Sequence, residues 1–387
     1  MRHPGRADGD KIFYIQENLM VCRRNLLLTF LFSLILLGGC SAPSSRYSFQ
    51  MPQSYEPAAV ENSTASRQLV WPSPPEVARY RYVGDIRGES NRLPGKIPDS
   101  LLARFFSAIV GVERQLDSVI DLLRPQQVMV DESERIYVAD AGRQSVFVFD
   151  QQNNEFLIWN ESNLNIPFLS PIGIVIADNK VLVTDSEQSV VYRLSFTGEL
   201  IDSIGRNVLK RPTGISYDVV TKRIFIADTG DDNIKVFDLQ GTLIDVYGNK
   251  GTRVGEFNRP TFLSYKNGLL YVADSMNARV QVLNDQGDSV NSIGERGLFI
   301  GNLSRPKGLA TDSDGNIYVA ESYYDHVLIY NASGELLMSL GGPGNQAGKF
   351  SQPTGLWVDD QDRLYVSDML NSRVSVFQYL GGQEHEK

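Results

Sequence analysis

The sequence predicts an all-β chain built from six similar units, and three observations lead to this prediction. A proline-containing turn recurs every 41 to 48 residues, and an acidic strand end recurs 14 to 16 residues after each proline. Within each unit, apolar and polar residues alternate as strands require. The prolines are Pro125, Pro171, Pro212, Pro260, Pro306 and Pro353, and the acids are Asp140, Asp185, Asp228, Asp274, Glu321 and Asp368.

The third unit shows how each unit is organised. After the Pro212 turn, strand-like segments cover residues 223–228, 234–238 and 243–247, and the last one stops at Gly248. Four antiparallel strands per unit, at a period of 40 to 50 residues, are typical of a propeller blade. The 387 residues therefore favour one repeat domain over two or three ordinary ones.

The repeats resemble the NHL-repeat family. The matching features are the Pro-x-Gly opening of the units, strand ends that read Tyr-Val-Ala-Asp, and the pattern Asn-x-Arg-Val-x-Val at 277–282 and 371–376. The resemblance covers about residues 77–380 and implies a six-bladed β-propeller of the NHL type.

Both ends of the repeat region suggest how the ring closes. The sixth unit stops at Leu380 after its third strand, and residues 77–86 resemble the missing fourth strand. We expect 77–86 to pair with the last blade, which hides both sheet edges. A short helical insertion is predicted at about 99–116, packed on the propeller or docking a partner. Residues 381–387 are predicted to be a disordered tail.

The N-terminus is predicted to be a lipoprotein signal peptide. Arg23 and Arg24 precede an apolar run over 26–37, which is short for a membrane span. The sequence Leu-Gly-Gly-Cys then ends at Cys40 and resembles a bacterial lipobox. This resemblance implies lipidation of Cys40, and Ser41 after it favours the outer membrane. The alternative is a plain signal peptide or membrane anchor in which Cys40 is incidental.

Three segments follow from this interpretation. Residues 1–39 are the signal region, with translation predicted to start at Met20 because residues 1–19 are polar and carry acids. Residues 40–76 are the lipidated cysteine and a disordered tether, since 41–76 contains 6 Pro and 8 Ser. Residues 77–380 are the propeller.

Composition excludes several classes of protein. The 37 basic and 46 acidic residues give a net charge of −9, which argues against a nucleic-acid partner. With 2 Cys and 3 His, a thiolate zinc cage, a disulfide framework and a haem attachment site are absent. We predict no cofactor and no metal. The repeated acids are predicted to be structural because they occur in every unit, and Arg124, Arg211, Arg259 and Arg305 are expected to pair with them.

The candidate binding site is in the fifth unit, where the repeat pattern changes. The turn after Glu321 reads Ser-Tyr-Tyr-Asp-His, and it provides Tyr323, Tyr324, Asp325 and His326 as binding residues. Aromatic side chains are enriched where interfaces are strongest. His326 aligns with Arg279 and Arg373 of other units, which also favours replacement of a repeated cation. No catalytic residue is predicted.

These observations predict an outer-membrane lipoprotein, facing the periplasm or the cell surface, whose propeller is a binding scaffold. Its partners would be the membrane, through the N-terminal lipid, and another envelope protein or ligand, and the chain would be a monomer. The alternative is a divalent-metal-dependent hydrolase or lactonase with its site in the central channel. Peptidyl-amidoglycolate lyases share the NHL repeats, but they need several histidines.

Overall fold

A computed structural model describes residues 47–49, 69–94, 119–161 and 165–381, all within one compact unit. The predicted signal peptide, Cys40, the predicted helix at 99–116 and residues 382–387 lie outside these ranges. Within them, no helix has the length and apolar character needed to cross a membrane. Three short 3-10 helices occur at Glu89–Asn91, Ser275–Asn277 and Met369–Asn371.

Six antiparallel sheets of the described chain form the blades, and a seventh, two-stranded sheet lies outside them. Four strands precede the first complete blade: β1 (Tyr47–Phe49), β2 (Val70–Trp71), β3 (Tyr80–Ile86) and β4 (Arg92–Pro94). Blade 1 contains β5 (Pro125–Val130), β6 (Ile136–Asp140), β7 (Ser145–Asp150) and β8 (Glu155–Trp159). Blade 2 contains β9 (Pro171–Ala177), β10 (Lys180–Asp185), β11 (Val190–Leu194) and β12 (Leu200–Ile204).

The remaining blades repeat this order. Blade 3 contains β13 (Pro212–Asp218), β14 (Arg223–Asp228), β15 (Asn233–Phe237) and β16 (Leu243–Tyr247). Blade 4 contains β17 (Pro260–Lys266), β18 (Leu269–Asp274), β19 (Arg279–Leu283) and β20 (Ser289–Ile293). Blade 5 contains β21 (Pro306–Thr311), β22 (Ile317–Glu321), β23 (His326–Tyr330) and β24 (Leu336–Gly341). Blade 6 contains β25 (Pro353–Val358), β26 (Arg363–Asp368) and β27 (Arg373–Tyr379). The predicted six-bladed β-propeller is confirmed.

Blade 6 is completed by the start of the propeller. β3 pairs antiparallel with β27, so that Ile86 lies opposite Val374 and Tyr80 opposite Tyr379. The predicted pairing of residues 77–86 with the last blade is therefore seen in β3. This pairing closes the ring, because the edges of β3 and β27 that would otherwise be unpaired hydrogen-bond to each other.

The ordered chain begins earlier than the sequence indicates. Residues up to 76 were expected to belong to the tether, but β2 adds a fifth strand to blade 6 and β1 pairs with β4. The Trp71 ring packs edge-on against Phe377 at 5.5 Å between centroids. Packing of this one large, half-buried aromatic residue holds β2 in place. A two-residue strand has no periodicity for the sequence to reveal.

The core consists of apolar clusters between neighbouring blades. One cluster joins Val128 and Phe147 of blade 1 to Ile86 and Val374 of blade 6, and all four side chains are fully buried. The innermost strands β5, β9, β13, β17, β21 and β25 contact one another in a closed ring. They surround the central axis, and their first residues face the same end of it.

Candidate functional site

One face of the propeller gathers the turns between the second and third strands and the connections between blades; we call it the loop face. Asp228 ends β14, and its carboxylate accepts hydrogen bonds from the backbone N–H groups of Lys210 and Arg211, at 2.9 and 2.8 Å. Those two residues lead into β13. The end of a second strand and the start of a first strand therefore meet at this face, as they do in each blade.

The six repeated acids are structural, as predicted. All six are fully buried, and each accepts backbone N–H bonds from the segment that leads into its own blade. Leu123 donates to Asp140 at 2.7 Å, and Ser351 donates to Asp368 at 2.7 Å. Their repeated role is to fix the inter-blade connections, because a buried carboxylate needs several donors to stay satisfied.

The predicted pairing of four arginines with these acids is wrong for the side chains. Arg124, Arg211 and Arg305 donate their backbone N–H groups to the acids of their own blades, and Arg259 donates its backbone N–H to Asp232. None of the four guanidinium groups forms an ion pair with a described residue. Spacing correctly indicated proximity, but the contact is made by the backbone, so the side chains stay exposed.

Three inter-blade connections share one conformation: loop 4 (248–260), loop 5 (294–306) and loop 6 (341–353). Each contains an isolated parallel bridge that ends on a fully buried residue, which is Phe257, Leu303 or Phe350, and loop 5 has a second such bridge between Ile300 and Asn302. Because the three loops have equal length and share this bridge at the same position, equivalent residues can be compared.

In blade 4, hydrogen bonds from polar side chains fix the position of loop 4. The Arg279 guanidinium donates through Nε to Asp274 at 2.9 Å and through Nη2 to the carbonyls of Arg253 and Glu256, at 2.7 and 2.8 Å. Asn277 donates to the same aspartate at 2.8 Å. One cation therefore links the buried acid to the tip of the loop.

Blade 6 repeats this arrangement. Arg373 donates to Asp368 at 2.8 Å and to the carbonyls of Gln346 and Lys349 in loop 6, at 2.9 and 2.7 Å. It also reaches Asp85 of β3 at 2.9 Å. The same arginine therefore fixes loop 6 and the closing strand.

Blade 5 places the predicted binding residues at the positions of this link. Tyr324 and His326 replace Asn277 and Arg279. The Tyr324 ring stacks on His326 at 6.1 Å and contacts Tyr323 edge-on at 4.9 Å. The His326 Nε2 atom is buried without a hydrogen-bond partner among the described residues. Burial lowers the pKa of His326 below its usual value.

Asp325 is occupied by a structural contact. Its carboxylate accepts the backbone N–H of Gln352 at 2.6 Å, directly before β25, and its carbonyl accepts the N–H of Gly342 at 3.0 Å. Asp232 makes the equivalent contact to Arg259. Of the four predicted residues, Tyr323 presents the most surface, with 59% of the residue exposed.

Loop 5 adds a feature that the sequence reasoning missed, which we call the apolar tip: Leu298, Phe299 and Ile300. These residues are 85%, 83% and 70% exposed. The equivalent positions are Thr-Arg-Val at 252–254 in loop 4 and Asn-Gln-Ala at 345–347 in loop 6. Tyr330 of β23 donates its hydroxyl to the Gly301 carbonyl at 2.9 Å, which fixes loop 5 above the blade that carries Tyr323. Three consecutive large apolar residues between glycines were the available sequence signal.

A metal-dependent site has no donor set in the described part of the chain. No group of three or more His, Cys, Asp or Glu side chains there could hold a metal ion. The six repeated acids are separated around the ring and engaged by backbone donors. The described residues therefore offer no donor set for the alternative, a metal-dependent hydrolase or lactonase.

Comparison with known proteins agrees with the fold. No curated protein matches the sequence. A virginiamycin B lyase from Staphylococcus aureus is similar in structure, with a TM-score of 0.51 and 12% identity over 66% of this chain and 95% of that one. An auxiliary nutrient-binding protein from Bacteroides thetaiotaomicron has a TM-score of 0.53 and 10% identity over 67% of this chain and 70% of that one. At such identities the likeness shows the fold alone.

The chain is thus a β-propeller protein with six blades. The profile of the NHL repeat matches residues 257–283, which run from loop 4 through β19. The resemblance noted in the sequence is confirmed at this repeat.

Proposed function

We propose that this chain is a lipid-anchored scaffold of the bacterial envelope whose loop face binds another envelope protein through blade 5. The observation that carries the proposal is the exposure of Leu298, Phe299 and Ile300 in the loop that leads into blade 5, the blade whose turn presents Tyr323. Exposed apolar residues scattered singly are ordinary, whereas a contiguous group marks an interaction surface.

The energetics of burial support this surface as a binding site. Each large apolar side chain moved from water into an interface contributes about 1.5–3 kcal/mol. Tyr323 adds an aromatic group of the kind that dominates interface energies. The tip is fixed at its base by the buried Leu303 and by the Tyr330 hydroxyl bond, so little conformational entropy is lost when it is covered.

Membrane anchoring is the second part of the proposal. The basic start at Arg23 and Arg24, the apolar run over 26–37 and the small residues before Cys40 support acylation of that cysteine. We expect Cys40→Ser to move the chain from the membrane fraction to the soluble fraction, and Cys22→Ser, in the same signal region, to leave it membrane-bound. A Cys40→Ser chain that stays in the membrane contradicts lipid anchoring.

Crosslinking and co-purification from native envelopes test the binding site. The test variant carries Leu298→Ser, Phe299→Ser and Ile300→Ser, and Tyr323→Ala is made separately. The matched control carries Val219→Ser and Val220→Ser, because these residues are 65% and 83% exposed in the turn between β13 and β14, on the opposite face. All variants are first shown to unfold cooperatively.

The proposal predicts that one partner is captured by the wild type and the control variant and lost from the loop 5 variant. Capture that is equal for all three chains would exclude the apolar tip as the binding site. If no partner is captured while a known envelope complex survives the same procedure, the scaffold function itself is contradicted.

A further inference from the structure

A second feature of the loop face is cationic and does not involve the apolar tip. We call it the axial ring: the residues directly before the proline that opens each innermost strand. They are Arg124, Ser170, Arg211, Arg259, Arg305 and Gln352. Four are arginines and none is an acid, in a chain whose net charge is −9. At this position of the repeat, arginine is therefore the commonest residue.

The innermost strands bring these positions around a narrow centre. A Cβ atom on Gly308 would lie 1.9 Å from the Thr354 carbonyl oxygen, and one on Gly214 would lie 2.5 Å from the Cα atom of Phe262. Only glycine permits strands of neighbouring blades to approach this closely. The residues one step before the prolines therefore encircle the mouth of the axis on the loop face.

The cations of the axial ring have no anionic partner among the described residues. The arginine side chains are exposed and form no ion pair there, as noted above. The carboxylates closest to them in the fold are already engaged: Glu321 accepts backbone N–H bonds from Ser304, Arg305 and Tyr323, at 2.7, 3.0 and 3.0 Å. The guanidinium donors are left available to a ligand.

Lys307 adds a fifth cation at the second position of β21. The equivalent residues Thr213, Thr261 and Thr354 use their hydroxyls to bond backbone carbonyls across the blade junctions, for example Thr213 to the Thr261 carbonyl at 2.8 Å. Lys307 is half-buried, and its ammonium has no hydrogen bond or ion pair with a described residue. Burial lowers its pKa from the usual range, and the charge of Arg305 lowers it further.

An unpaired ammonium next to a second cation is unfavourable unless an anion joins them. The arginines are distributed around an axis and not on one side of it. A planar carboxylate accepts hydrogen bonds mainly in its own plane, whereas a tetrahedral oxyanion accepts them from all directions. Guanidinium forks and a lysine ammonium are the side chains that proteins use to bind phosphate.

We propose that the mouth of the central axis on the loop face binds a phosphate group between Lys307 and the arginines of the axial ring. The inference is independent of the proposed function, because it involves neither the apolar tip nor a protein partner. It assigns a small-anion site to residues that the scaffold function does not use.

Titration calorimetry of the purified propeller with inorganic phosphate tests the inference. We expect saturable binding that falls about tenfold or more in Lys307→Met and in Arg305→Gln, because each loses a charge-assisted hydrogen bond. Lys266→Met is the matched control, since Lys266 is an exposed lysine at the end of β17 on the opposite face; its affinity should equal that of the wild type. Lys307→Met removes a buried charge and keeps the aliphatic stem, and Arg305 is exposed, so both variants should fold.

Vesicle binding separates the two sources of such a phosphate. Lipid-free protein is mixed with phosphatidylglycerol vesicles, and phosphatidylcholine vesicles, whose net charge is zero, are the control. Binding to inorganic phosphate that depends on Lys307 indicates a soluble ligand. Lys307-dependent binding to phosphatidylglycerol alone indicates a lipid headgroup. Equal binding by the wild type, Lys307→Met and Arg305→Gln, or no binding to either probe, overturns the inference.

Discussion

Blade 4 and blade 5 are preceded by equivalent loops, but the side chains at the positions that fix these loops differ. In blade 4, Arg279 links the buried Asp274 to two carbonyls of loop 4. In blade 5, Tyr324 and His326 occupy the linking positions and the loop ends in an exposed apolar tip. The comparison shows that a repeat protein can replace one structural link and keep the four-stranded blade beneath it.

The exchange is possible because the acid of blade 5 is satisfied without a cation. Glu321 is longer by one methylene than the aspartates of the other blades, and three backbone N–H groups donate to it. Asp368 of blade 6, in contrast, accepts Arg373 at 2.8 Å. Asp140 of blade 1 is also satisfied by backbone N–H groups alone among the described residues, so the cation can be absent with either acid.

The largest effect is expected when blade 6 is made to resemble blade 5. Arg373→His removes the cation that serves Asp368 and Asp85, and both the arginine and Asp368 are buried. Removing one member of a buried ion pair costs about 3–5 kcal/mol. Chemical denaturation should show a loss of this size in the free energy of unfolding. Arg279→His should lose less, because the Arg279 side chain is itself more exposed than that of Arg373, at 14% against 2%. Equal losses or none would contradict this account.

The reverse exchange should have a smaller effect of opposite sign. The double variant Glu321→Asp, His326→Arg restores in blade 5 the link seen in blades 4 and 6. We expect a gain of about 0.5–1.5 kcal/mol, the usual net contribution of a hydrogen bond, and slower protease cleavage in loop 5. Limited proteolysis measures the second effect, with cleavage in loop 4 as the internal control. Unchanged cleavage of loop 5 would show that the link does not govern its mobility.

The smallest effect concerns pH. Burial lowers the pKa of His326 in the folded state, so the unfolded chain, with a value of about 6.5, binds the proton more strongly. The stability associated with the neutral ring is therefore complete above about pH 6.5. It declines as the pH falls toward the pKa that His326 has in the folded state. His326→Gln cannot take up this proton.

Melting temperatures of the wild type and His326→Gln, compared at about pH 8 and pH 5, measure this contribution. The variant should gain relative to the wild type at the lower pH, although acid weakens both. A constant difference between the two chains would mean that His326 is solvated as in the unfolded state.

The features that repeat six times were predictable from the sequence. The prolines and the strand-end acids recur at a nearly fixed interval, and the sixth unit lacks its fourth strand. The places of the acids and of the closing strand therefore followed from the spacing. The apolar tip was missed for the same reason, because alignment of repeats discards what occurs once. The predicted pairing of the Arg211 side chain with an acid was wrong, because spacing cannot distinguish a backbone N–H donor from a guanidinium donor.

The candidate site was located only in part. Tyr323 and its neighbours were found because they depart from the repeat, but the engagement of Asp325 with Gln352 joins two blades and has no local signature. The contact between Trp71 and Phe377 likewise joins residues at opposite ends of the chain. Such contacts depend on the closed ring, which only the structure supplies.

The closing strand also sets the order in which the molecule can be completed. Asp85 and Arg373 lie 288 residues apart in the chain and bond to each other in blade 6. A ribosome makes β3 long before β27, so the edge of β3 that β27 covers stays unpaired until β27 is made. Pairing over such a separation is slow. Any truncation before β27 leaves an incomplete ring with two open sheet edges. The ring can therefore close only after β27 has been made.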